Sequence, residues 1–430
     1  MTQSETSDVA EFELELTGMA YGGSAVGRHE GRAIFVPYAI PGERITARIS
    51  QDKGRFAYAQ GVTLLEGSEA RVAPRCPHFG PGRCGGCHWQ HIDYAAQLEF
   101  KQEVVRDQLA RIGGLPDVTV NPTIASPDPW QYRSSVTLHL TAEGKLGFVS
   151  TDDQTVIPIQ ECHIIRPELF DLFESLDLEA LAGLTQVKLQ VGSDGEDRSV
   201  ILSTEDDAPP EVESDIPASV NFLSADESPF TLVGSPHVQY TIRGRPFRVT
   251  AGSFFQVNLP QAEVLVDQVL TRLALKGTET VLDLYSGVGL FSAFIAAQAS
   301  LVTAIESYPT AVDDAEFNLN DLENVDLIEG DVEGALAQIQ EHYNAAVVDP
   351  PRAGIEGKAL DELARLAPSK IVYVSCDPAT FARDVKRLST HGYRLLDVQP
   401  VDMFPQTYHV ELVATLQLEE IQPGLRNATP

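Results

Sequence analysis

Hydrophobic and polar residues alternate in four short runs near the start of the chain. The runs read FELEL, RAIFV, RITARI and FAYAQGVTL, and the segments YGGSAVG and PGE lie between them. Strict alternation over a few residues is typical of a strand with one buried face, and clusters of glycine and proline mark the turns. The pattern predicts a small all-β barrel, which we assign to residues 1–68.

The pattern changes after about residue 253, where apolar runs alternate with helix-like segments. Five runs are predicted strands, each followed by a loop and an amphipathic stretch: TVLDLYSGVG, LVTAIES, VDLIEGD, NAAVVDPP and KIVYVSCDP. Strands that alternate with helices form a parallel sheet covered on both faces, and ligands bind at the carboxyl ends of its strands. Residues 253–430 are therefore predicted to form an α/β domain with a Rossmann-like sheet.

The segment between them, residues 69–252, mixes both patterns and is predicted to be an α+β domain. It contains one helical stretch, AAQLEFKQEVVRDQLARIGG, and strand-like runs such as SSVTLHLTAEGKLGFV and PFRVTAG. No run of about 18 apolar residues occurs, and the first residues show no basic and apolar leader. We therefore expect a multidomain, monomeric, cytoplasmic protein without a membrane span.

The charge of the chain bears on its partners. The sequence holds 62 acidic and 31 basic residues, and a net charge of -31 taken alone disfavours nucleic-acid binding, which needs a basic face. However, residues 171–230 contain 15 acidic and 2 basic residues, so much of the excess lies in one segment. Small barrels of the oligonucleotide-binding type bind RNA on a strand face and loops. Lys53 and Arg55 are our candidate RNA contacts in the barrel.

Acidic residues end three successive strand-like runs of the α/β domain, at Asp283, Glu306 and Asp331. Gly287 follows the first run, where the backbone must turn tightly against a ligand. One interpretation is a dinucleotide site, since a carboxylate about 20 residues after the glycine loop can bind a ribose. However, Ser292 replaces the third glycine and Asp283 would repel a pyrophosphate, whereas a cationic sulfonium cofactor suits the acidic set. Each carboxylate by itself could also be a helix N-cap.

The next two predicted strands end at Asp349 in VVDPPRAG and at Cys376 in VYVSCDP. If these strands are neighbours in the sheet, the two side chains lie next to each other. A buried cysteine usually packs as a small hydrophobic residue. Here Asp377 and Pro378 end the strand at once, so the thiol is predicted at the rim of the cleft, where a nucleophile fits better.

Five motifs follow one another in an order that resembles one enzyme family. FFQVN, DLYSGVG, DPPRAG, VSCDPATFARD and HVEL resemble RNA uracil-C5 methyltransferases, and the predicted barrel resembles a TRAM domain. Together they are similar to the iron-sulfur branch of that family, which acts on ribosomal RNA. The resemblance implies a class I methyltransferase domain that uses S-adenosylmethionine to form m5U in 23S rRNA. The T-loop uridine of tRNA is an alternative substrate, because the same catalytic parts serve both.

The resemblance also implies roles for single residues. Cys376 would be the nucleophile that adds to uracil C6, and Glu411 the base that removes the C5 proton. S-adenosylmethionine would contact the residues that match the cofactor motifs of the family, namely Gln256, Tyr285, Gly287, Glu306, Asp331 and Asp349. Arg133 would contact RNA, although members of the family often carry more basic residues after this position.

The remaining cysteines form a separate group. Cys76, Cys84 and Cys87 lie in CPHFGPGRCGGCHWQH, and Cys162 lies in IQECHII. An odd total of five cysteines without a secretion signal disfavours a disulfide framework and indicates metal ligands or a reactive thiol. The resemblance implies that these four thiolates hold a 4Fe-4S cluster, but four thiolates also bind zinc, and histidines lie nearby. A non-catalytic iron-sulfur RNA-binding protein is a further alternative, which the catalytic motifs disfavour.

Overall fold

The computed structural model describes residues 11–152, 154–178, 183–212 and 215–419. Four sheets form in this part of the chain: a barrel, a central sheet, a two-stranded hairpin and a C-terminal sheet. No helix within the described ranges combines the length and the apolar character that a membrane crossing requires.

The N-terminal segment forms a closed five-stranded barrel, as the alternation predicted. Its strands are β1 Phe12–Met19, β2 Ala25–His29, β3 Arg32–Val36, β4 Arg44–Asp52 and β5 Phe56–Glu66. They pair in the order β1-β2-β3-β5-β4. Leu14, Leu16 and Ile45 are at most 3% exposed, because residues two positions apart share one face of a strand and this face points inward. Closure leaves no unpaired sheet edge.

A helix connects the barrel to the rest of the chain. The helix α1 spans Tyr94–Gln108, and the Asp93 carboxylate caps it by accepting a hydrogen bond from the Ala95 N–H at 3.0 Å. The chain continues in a π-helical turn, Leu109–Gly113, and leaves the helix at Gly114, whose φ of 71° suits glycine. This confirms the helix that the sequence predicted here.

The next elements belong mostly to a seven-stranded central sheet. In chain order they are β6 Thr119–Val120, β7 Ser135–Leu140, β8 Leu146–Val149, β9 Val156–Pro158, α2 Pro167–Glu174, β10 Leu184–Val191, β11 Arg198–Thr204, β12 Ser219–Leu223 and β13 Pro229–Val233. The sheet order is β13-β12-β11-β10-β7-β8-β9. Val187 and Leu189 alternate with polar residues along β10 and pack with Leu169 of α2, so one face of the sheet is apolar.

The C-terminal part has the strand-loop-helix order that the sequence predicted. Its elements are β14 His237–Ile242, β15 Arg245–Thr250, α3 Leu259–Leu273, β16 Thr280–Leu284, α4 Leu290–Ile295, β17 Leu301–Glu306, α5 Pro309–Leu319, β18 Val325–Glu329, α6 Val332–Gln338, β19 Ala345–Val348, α7 Gly357–Leu366, β20 Lys370–Ser375, α8 Pro378–Thr390, β21 Tyr393–Val401 and β22 Glu411–Leu418. Eight strands pair in the order β18-β17-β16-β19-β20-β22-β21-β6, and β14 pairs with β15 in a separate hairpin.

Both faces of this sheet are buried. Val347 and Val348 are neighbours in β19, yet they belong to two different apolar cores on opposite faces. This explains why the parallel strands appear in the sequence as continuous apolar runs instead of alternating ones. The strand order reverses at β16, and ligands of such sheets bind in the crevice at this carboxyl edge.

Some segments that precede residue 253 pack on the C-terminal sheet. The short strand β6 pairs with β21 at the sheet edge, and the hairpin of β14 and β15 shares an apolar core with α3. The domain limits 1–68, 69–252 and 253–430 therefore remain a prediction, to which the structure adds these contacts.

A buried ion pair joins α1 to the segment that follows β21. The Lys101 Nζ lies 2.5 Å from the Asp402 Oδ1 and donates a second hydrogen bond to the Phe404 carbonyl at 3.1 Å. Both charged side chains are fully buried. Because water cannot solvate either charge, each depends on the other.

We expect Lys101→Met to lower the free energy of unfolding by about 3–5 kcal/mol, since Asp402 would become an unpaired buried charge. Lys358 forms an exposed ion pair with Glu333, so Lys358→Met should change stability by less than about 1 kcal/mol. Urea unfolding followed by tryptophan fluorescence measures both. An equal effect of the two substitutions would contradict the stabilising role of the buried pair.

Candidate active site

The thiol of Cys376 lies at the carboxyl edge of the C-terminal sheet. The strand β20 ends at Ser375, and Asp377 is the N-cap of α8, where its Oδ1 accepts hydrogen bonds from the N–H groups of Ala379 and Thr380 at 2.9 Å. Pro378 occupies the first turn, where a missing N–H costs nothing. The motif SCDP thus ends the strand, starts the helix and leaves the cysteine partly exposed between them.

Glu411 reaches the same place from another strand. It is the first residue of β22, which runs antiparallel to β20 with Ser375 opposite Leu412. Its side chain is 4% exposed. Burial raises the pKa of Glu411 well above its usual range, the negative charge of Asp349 raises it further, and Arg352 opposes both effects.

The thiol of Cys376 is held in its neutral form. Burial raises the pKa of Cys376 to about 12, the carboxylates of Glu411 and Asp349 add to the shift, and the guanidinium of Arg352 lowers it. These groups therefore lie within electrostatic reach of one another. A thiol, a carboxyl group and a cation within reach of one another can support covalent catalysis, with the thiol as nucleophile and the carboxyl group as base.

The sequence analysis missed two residues of this site, Arg352 and His409. The Arg352 Nη2 lies 3.4 Å from the His409 Nδ1, which must accept because a guanidinium only donates. Burial lowers the pKa of His409 to about 3, so the ring is neutral. Their positions within DPPRAG and HVEL, three residues after Asp349 and two before Glu411, are the signals that could have identified them.

The glycine loop after β16 and the end of β17 form the second half of the site. The Glu306 Oε2 accepts a hydrogen bond from the Gly287 N–H at 2.9 Å, and its Oε1 accepts from the N–H groups of Ser307 and Tyr308 at 2.7 and 2.8 Å. Tyr285 adopts a φ of 63°, which is strained for a residue with a side chain and belongs to the same tight turn. The loop therefore presents a fixed carboxylate.

Polar atoms without partners line this half of the site. Asp283 is fully buried, and its Oδ2 accepts a hydrogen bond from the Ser292 hydroxyl at 2.5 Å. The Asp283 Oδ1 and the hydroxyl of Ser286 are buried without a hydrogen-bond partner among the described residues. Burial raises the pKa of Asp283 and of Asp349 to about 7. Unpaired buried acceptors next to carboxylates fit a cationic polar ligand.

The other predicted cofactor contacts lie around this loop in different environments. Gln256 is 7% exposed and lies three residues before α3, which starts at Leu259. Asp331 is the N-cap of α6, and its Oδ1 accepts a hydrogen bond from the Gly334 N–H at 2.7 Å. The alternative interpretation of this carboxylate as a helix N-cap therefore applies to Asp331. Asp349 directly follows β19. Within the described part of the chain, no side chain donates a hydrogen bond to it.

The four other cysteines lie apart from the thiol of Cys376. Cys76, Cys84, Cys87 and Cys162 line one cavity, together with Phe79, Phe148 and Ile159. All four are free thiols whose charges would interact, and burial raises the pKa of Cys84 to about 11. In the described ranges, no three histidine, cysteine, aspartate or glutamate side chains are arranged as a metal site.

The predicted RNA contacts occupy two regions. Lys53 and Arg55 are exposed in the turn between β4 and β5 of the barrel. Arg133 lies further inside: burial raises the pKa of Cys162 and lowers the pKa of His409, and the positive charge of Arg133 favours a lower pKa at both. Its Nε is buried without a hydrogen-bond partner in the residues described. Arg133 therefore lies between the cysteine cavity and the active site.

Two family models match the chain. The model described as tRNA (uracil-5-)-methyltransferase matches residues 237–419, which begin at β14, and the TRAM domain model matches residues 8–62. The first range contains both Cys376 and Glu411, and the second covers the barrel from β1 into β5.

Relatives and a solved structure extend the match to the whole chain. An RNA methyltransferase of Halalkalibacterium halodurans is 36% identical to this chain, and the match covers 96% of this chain and 98% of the relative. An RNA methyltransferase of Streptomyces avermitilis is also 36% identical, and that match covers 95% of this chain and 98% of the relative. The crystal structure of the tRNA (uracil-54, C5)-methyltransferase of Pyrococcus abyssi, in complex with S-adenosyl-L-homocysteine, superimposes with a TM-score of 0.73 and 27% identity over 95% of this chain and all of that one. With a strand-end thiol, a buried carboxyl and an acidic loop in the matched region, the chain belongs to the S-adenosylmethionine-dependent RNA (uracil-5-)methyltransferase family.

Proposed function

We propose that this enzyme methylates C5 of a uridine in 23S rRNA through a covalent bond between Cys376 and C6 of the uracil. The main support for the proposal is that the Cys376 thiol and the Glu411 carboxyl group lie close together at one sheet edge, beside the cation of Arg352. The two functional groups come from neighbouring strands, so the fold itself sets their separation.

The chemistry of uracil explains why a thiol and a base are both needed. C5 is a weak nucleophile until a group adds to C6, and addition of the Cys376 thiolate forms the S–C6 bond and an enolate whose C5 accepts the methyl group. Glu411 then takes the C5 proton, the electrons of that C–H bond restore the C5–C6 double bond, and the S–C6 bond breaks. A carboxylate with a raised pKa is a stronger base for this last step.

S-adenosylmethionine, when bound, supplies the methyl group as a cationic sulfonium. The unpaired Asp283 Oδ1 and Ser286 hydroxyl, with the oriented Glu306 carboxylate, support such a ligand at the end of β16. We assign its binding to Gln256, Tyr285, Gly287, Glu306, Asp331 and Asp349. A pyrophosphate is disfavoured there because these carboxyl groups would repel it.

The proposal also specifies the RNA substrate, 23S rRNA. A uridine must leave its stack to reach the thiol, which costs a few kcal/mol that contacts elsewhere on the RNA can offset. Lys53 and Arg55 on the barrel and Arg133 near the site are the proposed contacts. Transfer RNA is the second candidate substrate, because the solved relative named above is a tRNA (uracil-54, C5)-methyltransferase.

We further propose that Cys76, Cys84, Cys87 and Cys162 hold a 4Fe-4S cluster. Four thiols around one cavity fit the donor set of such a cluster, and zinc is the competing metal. Methyl transfer has no net electron transfer, so the cluster would stabilise the fold by joining the segment before α1 to the one before α2.

Anaerobically purified protein should therefore be brown and contain about four iron atoms per chain by elemental analysis. We expect Cys84→Ser to lower the iron content and solubility. Cys376→Ser is the matched control, since this fifth cysteine lies outside the cavity and its loss should leave the iron content unchanged. One zinc per chain without iron would reject the iron-sulfur assignment.

The two catalytic residues should differ in what accumulates on RNA. With labelled S-adenosylmethionine and a transcript of 23S rRNA or tRNA, we expect Cys376→Ala to give neither product nor adduct. Glu411→Gln should still form the S–C6 bond and transfer the methyl group, leaving a methylated protein–RNA adduct that survives denaturing electrophoresis. Turnover of Glu411→Gln at the wild-type rate would remove Glu411 from its role.

The same experiment separates the two substrates. Labelling of the tRNA transcript alone would replace the first candidate by the second, and labelling of neither, with intact S-adenosylmethionine binding, would contradict the proposed function.

Adduct formation should accelerate with pH. Because the pKa of Cys376 is raised to about 12, the thiolate fraction rises about tenfold for each pH unit between pH 7 and 9. RNA that contains 5-fluorouridine traps the adduct, since fluorine cannot leave as a proton does. Arg352→Gln should slow trapping at each pH by about tenfold, because the cation that lowers this pKa is lost. The exposed Arg394→Gln is the control, and a rate independent of pH would contradict this account.

A further inference from the structure

The barrel reaches the active site through one loop, residues 20–24, which connects β1 to β2. Tyr21 in this loop donates a hydrogen bond from its hydroxyl to the Asp377 Oδ2. Asp377 directly follows the catalytic Cys376, and its other oxygen caps α8. A residue of the N-terminal barrel thus contacts the strand end that carries the nucleophile, although 355 positions separate Tyr21 from Cys376 in the sequence.

The loop has a fixed position because Gly23 is anchored on two sides. Its carbonyl accepts a hydrogen bond from the Trp89 Nε1 at 3.1 Å, and Trp89 is fully buried. On the other side, a Cβ at Gly23 would lie 2.8 Å from the Cδ1 of Tyr408, so the backbone packs directly on that ring. The Tyr408 ring in turn lies 4.2 Å from the ring of His409.

Tyr21 is nevertheless a surface residue, with 40% of its side chain exposed. The charges of Asp377 and Arg352 both act on its hydroxyl. The ring therefore lies among the groups that surround Cys376, with its hydroxyl held in place and part of its surface open. No other exposed aromatic residue of the barrel donates a hydrogen bond to the C-terminal sheet in the part of the chain described.

We propose that Tyr21 is an RNA-contacting residue of the catalytic pocket, whose ring stacks on a base of the segment that delivers the target uridine. The proposal rests on the proposed function, which requires RNA at this edge. A ring with a fixed hydroxyl loses little conformational freedom when a base stacks on it, and stacking does not depend on the identity of the base. The target base leaves the stack of its neighbouring bases to reach Cys376. A stacking partner beside the active site then stabilises a neighbouring base that has lost this contact.

The first test uses Tyr21→Ala and Tyr21→Phe in the full-length enzyme. RNA affinity is measured without cofactor, with fluorescent 23S rRNA and tRNA transcripts as probes. The same transcripts are then used as substrates to measure KM and kcat. We expect Tyr21→Ala to weaken RNA affinity and raise KM about tenfold. Tyr21→Phe keeps the ring and loses only the hydroxyl, so its affinity should stay within about threefold of the wild type. The affinity for S-adenosylmethionine should not change in either variant.

The second test moves the loop without changing Tyr21. Gly22 and Gly23 both have a positive φ, 94° and 85°, so alanine is comparably strained at either position. Only Gly23 packs on Tyr408, whereas a Cβ at Gly22 meets no atom within 4 Å. We expect Gly23→Ala to weaken RNA affinity as Tyr21→Ala does, and Gly22→Ala to bind RNA like the wild type.

The outcomes separate this proposal from the proposed function. If Tyr21→Ala binds RNA as tightly as the wild type, or if it lowers only the unfolding temperature, the Tyr21 contact is structural. Either outcome would overturn the proposal that Tyr21 contacts RNA. Equal effects of Gly22→Ala and Gly23→Ala would overturn it as well. A wild-type enzyme that binds RNA through Tyr21 yet traps no 5-fluorouridine adduct would contradict the catalytic proposal and leave the RNA contact supported.

Discussion

The active site depends on the burial and mutual repulsion of carboxyl groups that the fold collects at one edge of a sheet. Burial raises the pKa of both Asp349 and Glu411, the negative charge of Asp283 adds to the shift of Asp349, and that of Asp349 adds to the shift of Glu411. Asp283 lies in β16, Asp349 directly follows β19 and Glu411 begins β22, so their proximity follows from sheet order and not from local sequence. A positive ligand relieves this repulsion and an anionic one increases it. The preference for a sulfonium methyl donor over a dinucleotide is therefore a property of the whole edge.

The same edge needs support from segments that are far apart in the chain. The Nε2 of Gln97 in α1 lies 3.2, 2.9 and 3.1 Å from the Trp89 carbonyl, the Ile92 carbonyl and the Gln406 Oε1, which share its two N–H donors. One buried amide thereby joins the segment after the cysteine-rich loop to the loop that carries Tyr408. Because a buried amide without partners is costly, this network holds the three segments in one arrangement.

Much of the fold and part of the site could be predicted from the sequence. The alternation in β1 to β5 and the apolar runs of β16 to β20 depend on local periodicity, and both predictions are confirmed. The strand-end positions of Cys376 and Glu306 follow from the same periodicity.

The contacts that the sequence could not predict join distant segments. The sequence analysis did not identify Arg352 because its importance depends on which strands are neighbours. Tyr21 and the buried Lys101 are unremarkable in the sequence, since their partners lie 356 and 301 positions away. The insertion of β22 between β20 and β21 likewise depends on long-range pairing, which no local pattern encodes.

The place of β22 has a consequence for how the enzyme is made. It is the last strand of the described chain, and it enters between two strands that precede it. Until β22 has been synthesised, β20 and β21 lack the strand that lies between them. The Glu411 carboxyl therefore joins Cys376 at the sheet edge only when this last described strand pairs with β20.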